Sequence, residues 1–552
     1  MRFVPVRAAV LGAVFAALIT LPGLGNGTLW DNSETVYGEV AREVLLTHDW
    51  VVMHVNGAEW FVQPPLFFWV AALCAKVFGV TAFALRLPAA LATIAMGGAL
   101  GYATARVAGT RAGTVAAIVL STSLMQAIVG RLAIMDALLD LCVVIAILCW
   151  FRAFAEGRPV AFLCGTLAVA LGTLAKGPVA PVIVVLVIAL WLVWERRSGA
   201  TVALPAPLTL LAACALFVVV TAPWFVLEAV RVGPTAASEL IGHYTIGRYT
   251  GVIENQRGPW WYYVPVLILG FFPWIAFVPA AVGPVLDAAR TRAGSLERLA
   301  LTWTIVPLVF FSFAQTKLPN YIALMLPAMA IVVALWFERV AQASDRRAAI
   351  VSALTIPLFL GALGIAIVIF IRNNHFENAT AVIGPQVEIL GGLMLAGSLV
   401  TVAAVAARGW NWLAPYLLGA TSGALVLFIA FIAEPAAETL KPIPPLARII
   451  QAQRAPGSTV GVRGVSGTYG LIFYTAPPVV TLEEDNSDFR TGICAISDLY
   501  LVTRVADLPM LAQLVAAQGR QSATIGQARG VAVLHIDGPR CAEGSRRPTS
   551  HD

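Results

Sequence analysis

The sequence predicts an all-α polytopic membrane domain followed by a small α/β domain. Of the 552 residues, 59% are hydrophobic and 12% are charged, whereas a soluble globular protein carries about 25% charged residues. Thirteen apolar segments are long enough, or nearly so, for membrane helices, which need roughly 20 residues. After residue 433 charged and polar residues become more frequent and short β-rich runs begin, which indicates a separate domain.

The membrane domain is predicted to occupy residues 1–433. Its thirteen spans are predicted at 8–25, 84–105, 112–130, 137–153, 160–175, 178–194, 205–228, 260–283, 298–314, 321–337, 348–371, 386–407 and 411–432. A fourteenth apolar stretch, 65–80, is short and follows Pro64. If 65–80 does not cross and the N-terminus is cytoplasmic, every inside loop contains arginine, as the positive-inside rule requires.

We therefore predict that 65–80 is a re-entrant or interfacial helix within an outer loop, 26–83, that carries juxtamembrane helices. The arginines that fix this topology are Arg106, Arg111, Arg152, Arg158, Arg196, Arg197, Arg290, Arg292, Arg298, Arg339, Arg346, Arg347 and Arg408. With thirteen crossings the C-terminal domain lies on the outer side of the membrane.

The outer loop contains the most polar stretch of the first 230 residues. Within it, 34–46 is predicted to be an amphipathic helix along the membrane surface. Its two faces are Tyr37, Val40 and Val44, and Glu39, Arg42 and Glu43. The helix is either a lid whose acids face a reaction or an ordinary solvated loop helix.

The C-terminal domain is predicted at 434–541, with a disordered tail at 542–552. Its predicted strands are Thr459–Val462, Leu471–Tyr474, Val479–Leu482, Leu499–Val502 and Val531–Ile536, and 507–518 is predicted to be a helix. Outside the cytoplasm Cys494 and Cys541 would be able to form a disulfide. The other five cysteines lie in apolar segments without metal-ligand spacing.

Charged and aromatic residues recur at the predicted outer ends of the spans, in five motifs. They are Glu34-x-x-Tyr37-x-Glu39-x-x-Arg42-Glu43 with Gln63-Pro64-Pro65-Leu66; Arg131-Leu-Ala-Ile-Met-Asp136; Leu174-Ala-Lys176-Gly177-Pro178; Arg257-Gly-Pro-Trp-Trp-Tyr-Tyr263; and Lys317-Leu-Pro319-Asn-Tyr321. Ionisable residues at membrane depth are costly and usually functional. Their convergence on one side predicts a single outward-facing site.

In this order, across 29–321, the motifs resemble those of bacterial C-type (GT-C) glycosyltransferases. The most similar members are the lipid A aminoarabinose transferases and protein-mannosyltransferase-like enzymes. The resemblance implies an inverting enzyme of the bacterial inner membrane, with a periplasmic active site and a polyprenyl-phosphate sugar donor. The implied acceptor is lipid A, or else another glycolipid, a polysaccharide or a protein hydroxyl.

Such a reaction requires cations, because the leaving lipid phosphate becomes a dianion. The expected phosphate ligands are Lys176, Arg257 and Lys317, with Arg131, Arg248, Tyr321, Tyr37 and Gln63 as further substrate-binding candidates. The alternative for each cation is a snorkelling side chain at the membrane surface. The alternative for each tyrosine is the aromatic belt of a membrane protein.

The expected catalytic acids are Asp31, Glu34 and Asp136. A hydroxyl acceptor needs a base and a phosphate acceptor does not; for Asp136 the alternative is a charge at a helix start. The chain departs from the aminoarabinose transferases by having Ser33 in place of their Asp. It also has Val62 and Gln63 in place of their Glu-Lys pair. These departures make a divalent metal doubtful, and no cofactor is predicted with certainty.

Two other functions remain open. A transporter of polyprenyl-linked sugars would contain inverted repeats and acids in mid-span, and the sequence has neither; the other possibility is a scaffold with an inactive site. The expected partners are the donor, the envelope acceptor and membrane lipids. Nucleic acid is not expected, and the protein is predicted to be a monomer.

Overall fold

A computed structural model of the chain describes residues 4–233, 247–252, 256–342, 411–465, 468–482 and 485–539, with isolated helical positions between 242 and 403. The chain forms two compact units. The first contains residues 1–26, 49–53 and 61–434, and the second contains 27–48, 54–60 and 435–552.

The elements up to residue 342 are mainly helices. In chain order they are α1 (Val4–Thr20), α2 (Glu34–Thr47), β1 (His54–Val55), β2 (Ala58–Glu59), α3 (Leu66–Phe78), α4 (Ala82–Ala108), α5 (Thr110–Thr122), α6 (Leu124–Val129), α7 (Asp136–Glu156), α8 (Pro159–Lys176), α9 (Val179–Arg197), α10 (Pro207–Val232), α11 (Arg248–Thr250), α12 (Tyr263–Gly270), a 3-10 helix (Trp274–Phe277), α13 (Val278–Ala289), α14 (Ser295–Phe313), a 3-10 helix (Pro319–Met325) and α15 (Leu326–Gln342).

Strands become frequent only in the C-terminal part. Its elements are a 3-10 helix (Asn411–Leu413), α16 (Ala414–Phe428), a π-helix (Ile429–Ala433), α17 (Glu434–Glu438), α18 (Ile443–Gln453), β3 (Thr459–Arg463), α19 (Thr468–Thr475), β4 (Val479–Thr481), α20 (Asn486–Cys494), β5 (Asp498–Arg504), a 3-10 helix (Val505–Asp507), α21 (Leu508–Ala516), β6 (Gln521–Ala528) and β7 (Val531–Asp537).

The first unit is the membrane domain. In the described part of the chain eight helices are long and apolar enough to cross a membrane, and a ninth span results if one bent pair is counted. The predicted spans 348–371 and almost all of 386–407 lie outside the described residues. The count of thirteen spans therefore stays a prediction.

Two predicted spans are interrupted. The span predicted at 112–130 consists of α5 and α6, which are separated at Ser123. The span predicted at 260–283 consists of the helix pair Tyr263–Gly270 and Trp274–Ala289, which is bent by 105°. The break includes Pro273. Proline has no backbone N–H to donate, and its ring clashes with the preceding turn of a helix.

The stretch predicted not to cross, 65–80, forms the 13-residue helix α3. At 1.5 Å per residue it is about 20 Å long, shorter than the roughly 30 Å hydrocarbon core of a bilayer. Phe67 and Phe68 are buried in the unit, whereas Leu73 and Val77 are exposed. Its length agrees with an interfacial or re-entrant position.

Small residues allow α1, α4 and α5 to pack closely, as is common between membrane helices. A Cβ atom added to Gly12 would lie 2.7 Å from the carbonyl oxygen of Gly97, and one added to Gly101 would lie 2.8 Å from that of Ala8. Replacement of either glycine would therefore force these helices apart.

An ion pair is fully buried between α9 and α14. The Arg298 guanidinium lies 2.7 Å from the Glu195 carboxylate, with side-chain exposures of 0% and 2%. Arg298 also donates to the carbonyl oxygens of Ala289 and Thr291 at 2.8 and 2.6 Å. A residue predicted only to set topology therefore also holds the turn before α14 in place.

The second unit contains a five-stranded sheet with the strand order β4-β3-β5-β7-β6. β3 pairs in parallel with β4 and β5. β7 pairs antiparallel with β5 on one side and with β6 on the other. Along β5 alternate side chains enter two cores, one that includes Tyr500 and Val502 and one that includes Leu499 and Leu501. The sheet therefore has helices packed on both faces.

The predicted α/β character is confirmed, with two local errors. Leu471–Tyr474 was predicted to be a strand but lies in α19, since its apolar side chains Leu471 and Ile472 pack into the first core together with Leu446 of α18. The strand β6 was missed because it is rich in polar and small residues. Cys494 is disulfide-bonded; its predicted partner, Cys541, lies outside the described residues.

The helix predicted at 34–46 is α2, but it is not an ordinary solvated helix. Glu39 and Glu43, predicted to form its polar face, are buried at 0% and 3% exposure. Arg42 donates to Glu39 at 2.6 Å and to the Phe473 carbonyl oxygen in α19 at 2.9 Å. Glu43 accepts from the amide of Gly57. The polar face therefore packs within the second unit.

This burial predicts a pH effect. Burial raises the pKa of Glu39 to about 7, against the opposing charge of Arg42. A carboxyl whose pKa is raised on folding stabilises the folded state below its unfolded pKa, and this contribution is lost as the pH rises through about 7. After correction for intrinsic exchange rates, hydrogen exchange in α2 and α19 should therefore be faster at pH 8 than at pH 6.

The Glu39→Gln variant should show a smaller difference between the two pH values, because its side chain does not ionise. Glu59→Gln serves as the control, since Glu59 is an exposed acid of the same unit. Equal exchange of wild-type α2 at both pH values would contradict the prediction.

Candidate active site

A cavity of about 330 Å³ lies in the first unit, at one end of α7 and α8. Its lining combines a few polar side chains with many apolar ones. The lining residues are Val62, Gln63, Pro64, Asp136, Leu139, Asp140, Lys176, Pro178, Val179, Val182, Tyr249, Thr250, Phe310, Phe311, Ala314, Asn320, Tyr321 and Leu324.

A hydrogen-bonded group of three side chains forms the polar part of this cavity. The Lys176 ammonium donates to Asp136 Oδ1 at 2.5 Å, and the Asn320 amide donates to the same oxygen at 2.7 Å. The Lys176 nitrogen lies 5.2 Å from the centroid of the Tyr321 ring, which is within cation–π distance. The motifs that contain Asp136, Lys176 and Tyr321 therefore meet in one place, as predicted.

Local structure fixes this meeting point. Asp136 is the first residue of α7 and Lys176 is the last residue of α8. An acid at a helix N-terminus and a base at a C-terminus are both favoured by the helix dipole. Asn320 and Tyr321 come from the 3-10 helix that follows Pro319. The charged pair thus occupies the ends of two rigid helices.

Asp140 lies one turn beyond Asp136 on α7 and also lines the cavity. Its side chain is 1% exposed, and its Oδ2 atom has no hydrogen-bond partner among the described residues. Apolar side chains of α9 and α14, including Val179, Val182 and Phe310, form much of the remaining wall. Chemically, the cavity suits a ligand that has a polar group at one end and an apolar chain.

Gln63, a predicted substrate-binding residue, also lines the cavity. The sequence prediction missed Asn320 and Tyr249. Asn320 lies inside the motif Lys317-Leu-Pro319-Asn-Tyr321, so the motif marked the right segment and Tyr321, but Asn320 itself was not singled out. Tyr249 lies outside all five motifs, and no sequence signal identified it.

Lys317 and Arg257 do not line this cavity. The Lys317 ammonium donates to the carbonyl oxygens of Ser312 and Ala314 at 2.7 and 2.8 Å, which caps the C-terminal end of α14. Burial lowers the pKa of Lys317. Arg257 is exposed and pairs through its backbone with Thr316. Phosphate binding by these two residues stays a prediction.

Two further predicted cations have other surroundings. The Arg131 guanidinium donates to the carbonyl oxygens of Thr20 and Pro22, both at 2.8 Å, and so caps the end of α1. These bonds all come from Nη1, and substrate binding by Arg131 stays a prediction. Arg248 begins α11, and its side chain lies outside the described part of the structure.

The predicted residues Asp31, Glu34 and Tyr37 belong to the second unit. Asp31 accepts from the Gly470 amide at 2.7 Å and from the Thr35 hydroxyl at 3.2 Å. Burial raises the pKa of the Asp31 carboxyl. The Glu34 carboxylate is fully buried and accepts from the Trp30 amide at 3.0 Å. Both acids therefore have structural partners, and their catalytic roles stay predictions.

Tyr37 contacts Trp60 edge to face, with 6.3 Å between the ring centroids. Asp31 also lines a second cavity, of about 230 Å³, together with Trp30, Lys441 and Tyr474.

Across the described residues of both units, no group of three or more His, Cys, Asp or Glu side chains is arranged to hold a metal ion.

Comparisons with known proteins identify the family. A family profile described as dolichyl-phosphate-mannose-protein mannosyltransferase matches residues 62–226. The undecaprenyl phosphate-α-4-amino-4-deoxy-L-arabinose arabinosyl transferase of Pectobacterium carotovorum subsp. carotovorum is 30% identical over 435 residues, which cover 74% of this chain and 73% of that protein. The chain belongs to this arabinosyl transferase family. The Yersinia enterocolitica member is 29% identical over 430 residues, 75% of each chain.

The fold of the family is also found in solved structures. The crystal structure of ArnT from Cupriavidus metallidurans, bound to undecaprenyl phosphate, has a TM-score of 0.78 and 20% identity, and covers 98% of this chain and 99% of that one. The predicted GT-C fold is confirmed. Family membership and the apolar helices together make this protein a multi-pass membrane glycosyltransferase.

Proposed function

We propose that this family member transfers 4-amino-4-deoxy-L-arabinose from undecaprenyl phosphate to lipid A, with inversion at the anomeric carbon. The substrates are suggested by the names of the relatives and by the motifs of the sequence. The observation that carries the proposal is the Asp136–Lys176–Asn320 group at the polar end of a mostly apolar cavity.

In the proposed reaction an acceptor oxygen forms a bond to the anomeric carbon of the sugar. The bond from that carbon to the phosphate oxygen breaks, and its electron pair leaves with undecaprenyl phosphate. Lys176 stabilises the negative charge that develops on the phosphate, and a preorganised cation in a site that excludes water is effective for this purpose. If the acceptor is a hydroxyl, a carboxylate accepts its proton.

Asp136 acts in this scheme as a positioning residue. Its Oδ1 atom accepts from both Lys176 and Asn320, so it fixes the ammonium where the phosphate arrives. The apolar wall formed by Val179, Val182 and Phe310 receives the first isoprene units of the lipid. We further propose that the site opens to the periplasm, that the N-terminus is cytoplasmic, and that the protein acts as a monomer.

The proposal is tested with the purified full chain in liposomes that contain undecaprenyl phosphate-linked aminoarabinose and lipid A. Mass spectrometry should detect lipid A whose mass has increased by one or more aminoarabinose units, and lipid A from a deletion strain should lack this addition. Donor consumption with unmodified lipid A would instead indicate another acceptor. Donor movement across the bilayer without consumption would favour a transporter.

A further inference from the structure

Asp140 is a buried acid to which the reaction described above assigns no role. It is 1% exposed and lines the cavity, and its Oδ2 atom has no hydrogen-bond partner among the described residues. Its neighbour Asp136 differs in this respect, because it accepts from both Lys176 and Asn320. The cavity therefore contains one carboxylate with two donors and a second one with an unused acceptor atom.

An unpartnered acceptor atom in a buried carboxylate is costly, because burial removes the water that would otherwise solvate it. Such an atom in a cavity wall indicates a ligand that supplies the missing donor. A cationic donor suits it best, since a charge-assisted hydrogen bond is roughly twice as strong as one between neutral groups. Leu139 and Leu324 also line this cavity, and apolar walls lower the local dielectric constant, which strengthens such a pairing further.

The position of Asp140 on α7 indicates which part of a substrate it meets. Asp140 follows Asp136 by four residues, a displacement of about 6 Å along the helix axis. A pyranose carries its C1 and C4 substituents on opposite sides of the ring. If Lys176 holds the phosphate on C1, a carboxylate one helical turn away is placed to meet the substituent on C4.

We propose that Asp140 binds the positively charged amino group of the transferred sugar and thereby selects a 4-amino sugar over its 4-hydroxy counterpart. This inference rests on the proposed function and extends it, because it identifies the part of the site that recognises the sugar. The ammonium group donates to Oδ2 and satisfies its unused capacity. A hydroxyl in the same place offers one neutral donor, so Oδ2 lacks a charge-assisted hydrogen bond.

The test compares two donors, undecaprenyl phosphate-linked 4-amino-4-deoxy-L-arabinose and undecaprenyl phosphate-linked L-arabinose, in the liposome assay. Wild-type protein should have the higher kcat/KM with the amino donor. The isosteric variant Asp140→Asn should reduce that preference by about 30-fold or more, since removal of one partner of a buried charge pair has an effect of this order. The loss should fall on the amino donor, whereas the rate with the hydroxy donor should change little.

Asp140→Glu retains the charge and should keep part of the preference, and Asp136→Asn should reduce transfer from both donors to a similar extent. If Asp140→Asn reduced kcat/KM equally for both sugar donors, Asp140 would have a structural role and the inference would be overturned. An equal kcat/KM of the wild type for the two donors would overturn it without any variant. Transfer of neither donor by the wild type would reject the proposed function together with the inference that rests on it.

Discussion

Replacement of Lys176 by alanine is expected to reduce sugar transfer by roughly 10²–10³-fold, the effect of removing one preorganised group that stabilises developing negative charge. The Lys176 ammonium has its position fixed by Asp136 at 2.5 Å and lies over the Tyr321 ring. Alanine removes the charge and leaves Asp136 with only Asn320 as a hydrogen-bond donor among the described contacts. The rate is measured in liposomes with the donor in excess.

Lys76→Ala is the matched control, because Lys76 also lies in the last turn of an apolar helix but is exposed and does not line the cavity. Its rate should equal that of the wild type at equal protein levels. A Lys176→Ala variant that transfers at the wild-type rate would show that Lys176 is a surface-anchoring cation, and the leaving-group role would then pass to Lys317 or Arg257.

Replacement of Arg298 by alanine is expected to destabilise the membrane unit by about 3–5 kcal/mol, as found when one partner of a buried ion pair is removed. Glu195 is 2% exposed in this pair, so its charge would remain buried without the cation. The carbonyl oxygens of Ala289 and Thr291 would also lose their donor. Thermal unfolding of the purified protein in detergent should show the loss.

The control lies a few residues away. Arg290 pairs with Asp287 at 3.0 Å, but both side chains are largely exposed, and such surface pairs contribute about 0–1 kcal/mol. Arg290→Ala should therefore unfold close to the wild-type temperature. The double variant Arg298→Met with Glu195→Leu should recover much of the lost stability, because it removes both buried charges. Equal stability of Arg298→Ala and the wild type would contradict this account.

The sequence was most informative where a local pattern determines the structure by itself. Long apolar runs such as 84–105 and 205–228 are helices, because the hydrocarbon core leaves the backbone few other ways to satisfy its hydrogen bonds. The motifs around Asp136, Lys176 and Tyr321 meet in one cavity, as their common position at the outer ends of the spans predicted.

The sequence was less informative where a partner distant in the chain determines the environment. Glu39 and Arg42 follow a surface pattern, but α19 buries them. Lys317 and Arg131 are of the residue types that bind phosphate, but the acceptors they contact are backbone carbonyl oxygens at helix ends. Nothing in the sequence around Asp140 indicates that one of its carboxylate oxygens lacks a hydrogen-bond donor among the described residues. Only three-dimensional contacts distinguish these cases.

The second unit is built from segments that lie far apart in the chain, and this affects when it can fold during synthesis. Residues 27–48 belong to this unit, but most of it begins at residue 435. At roughly 5–20 residues per second a ribosome needs on the order of 20–80 s to make the 386 residues between positions 48 and 435. During that interval α2 has left the ribosome without α19, whose carbonyl oxygen binds Arg42. In a newly made chain, acids such as Glu39 therefore stay exposed to solvent until the last fifth of the chain is translated. Truncation near residue 435 would leave them permanently without the helix that buries them.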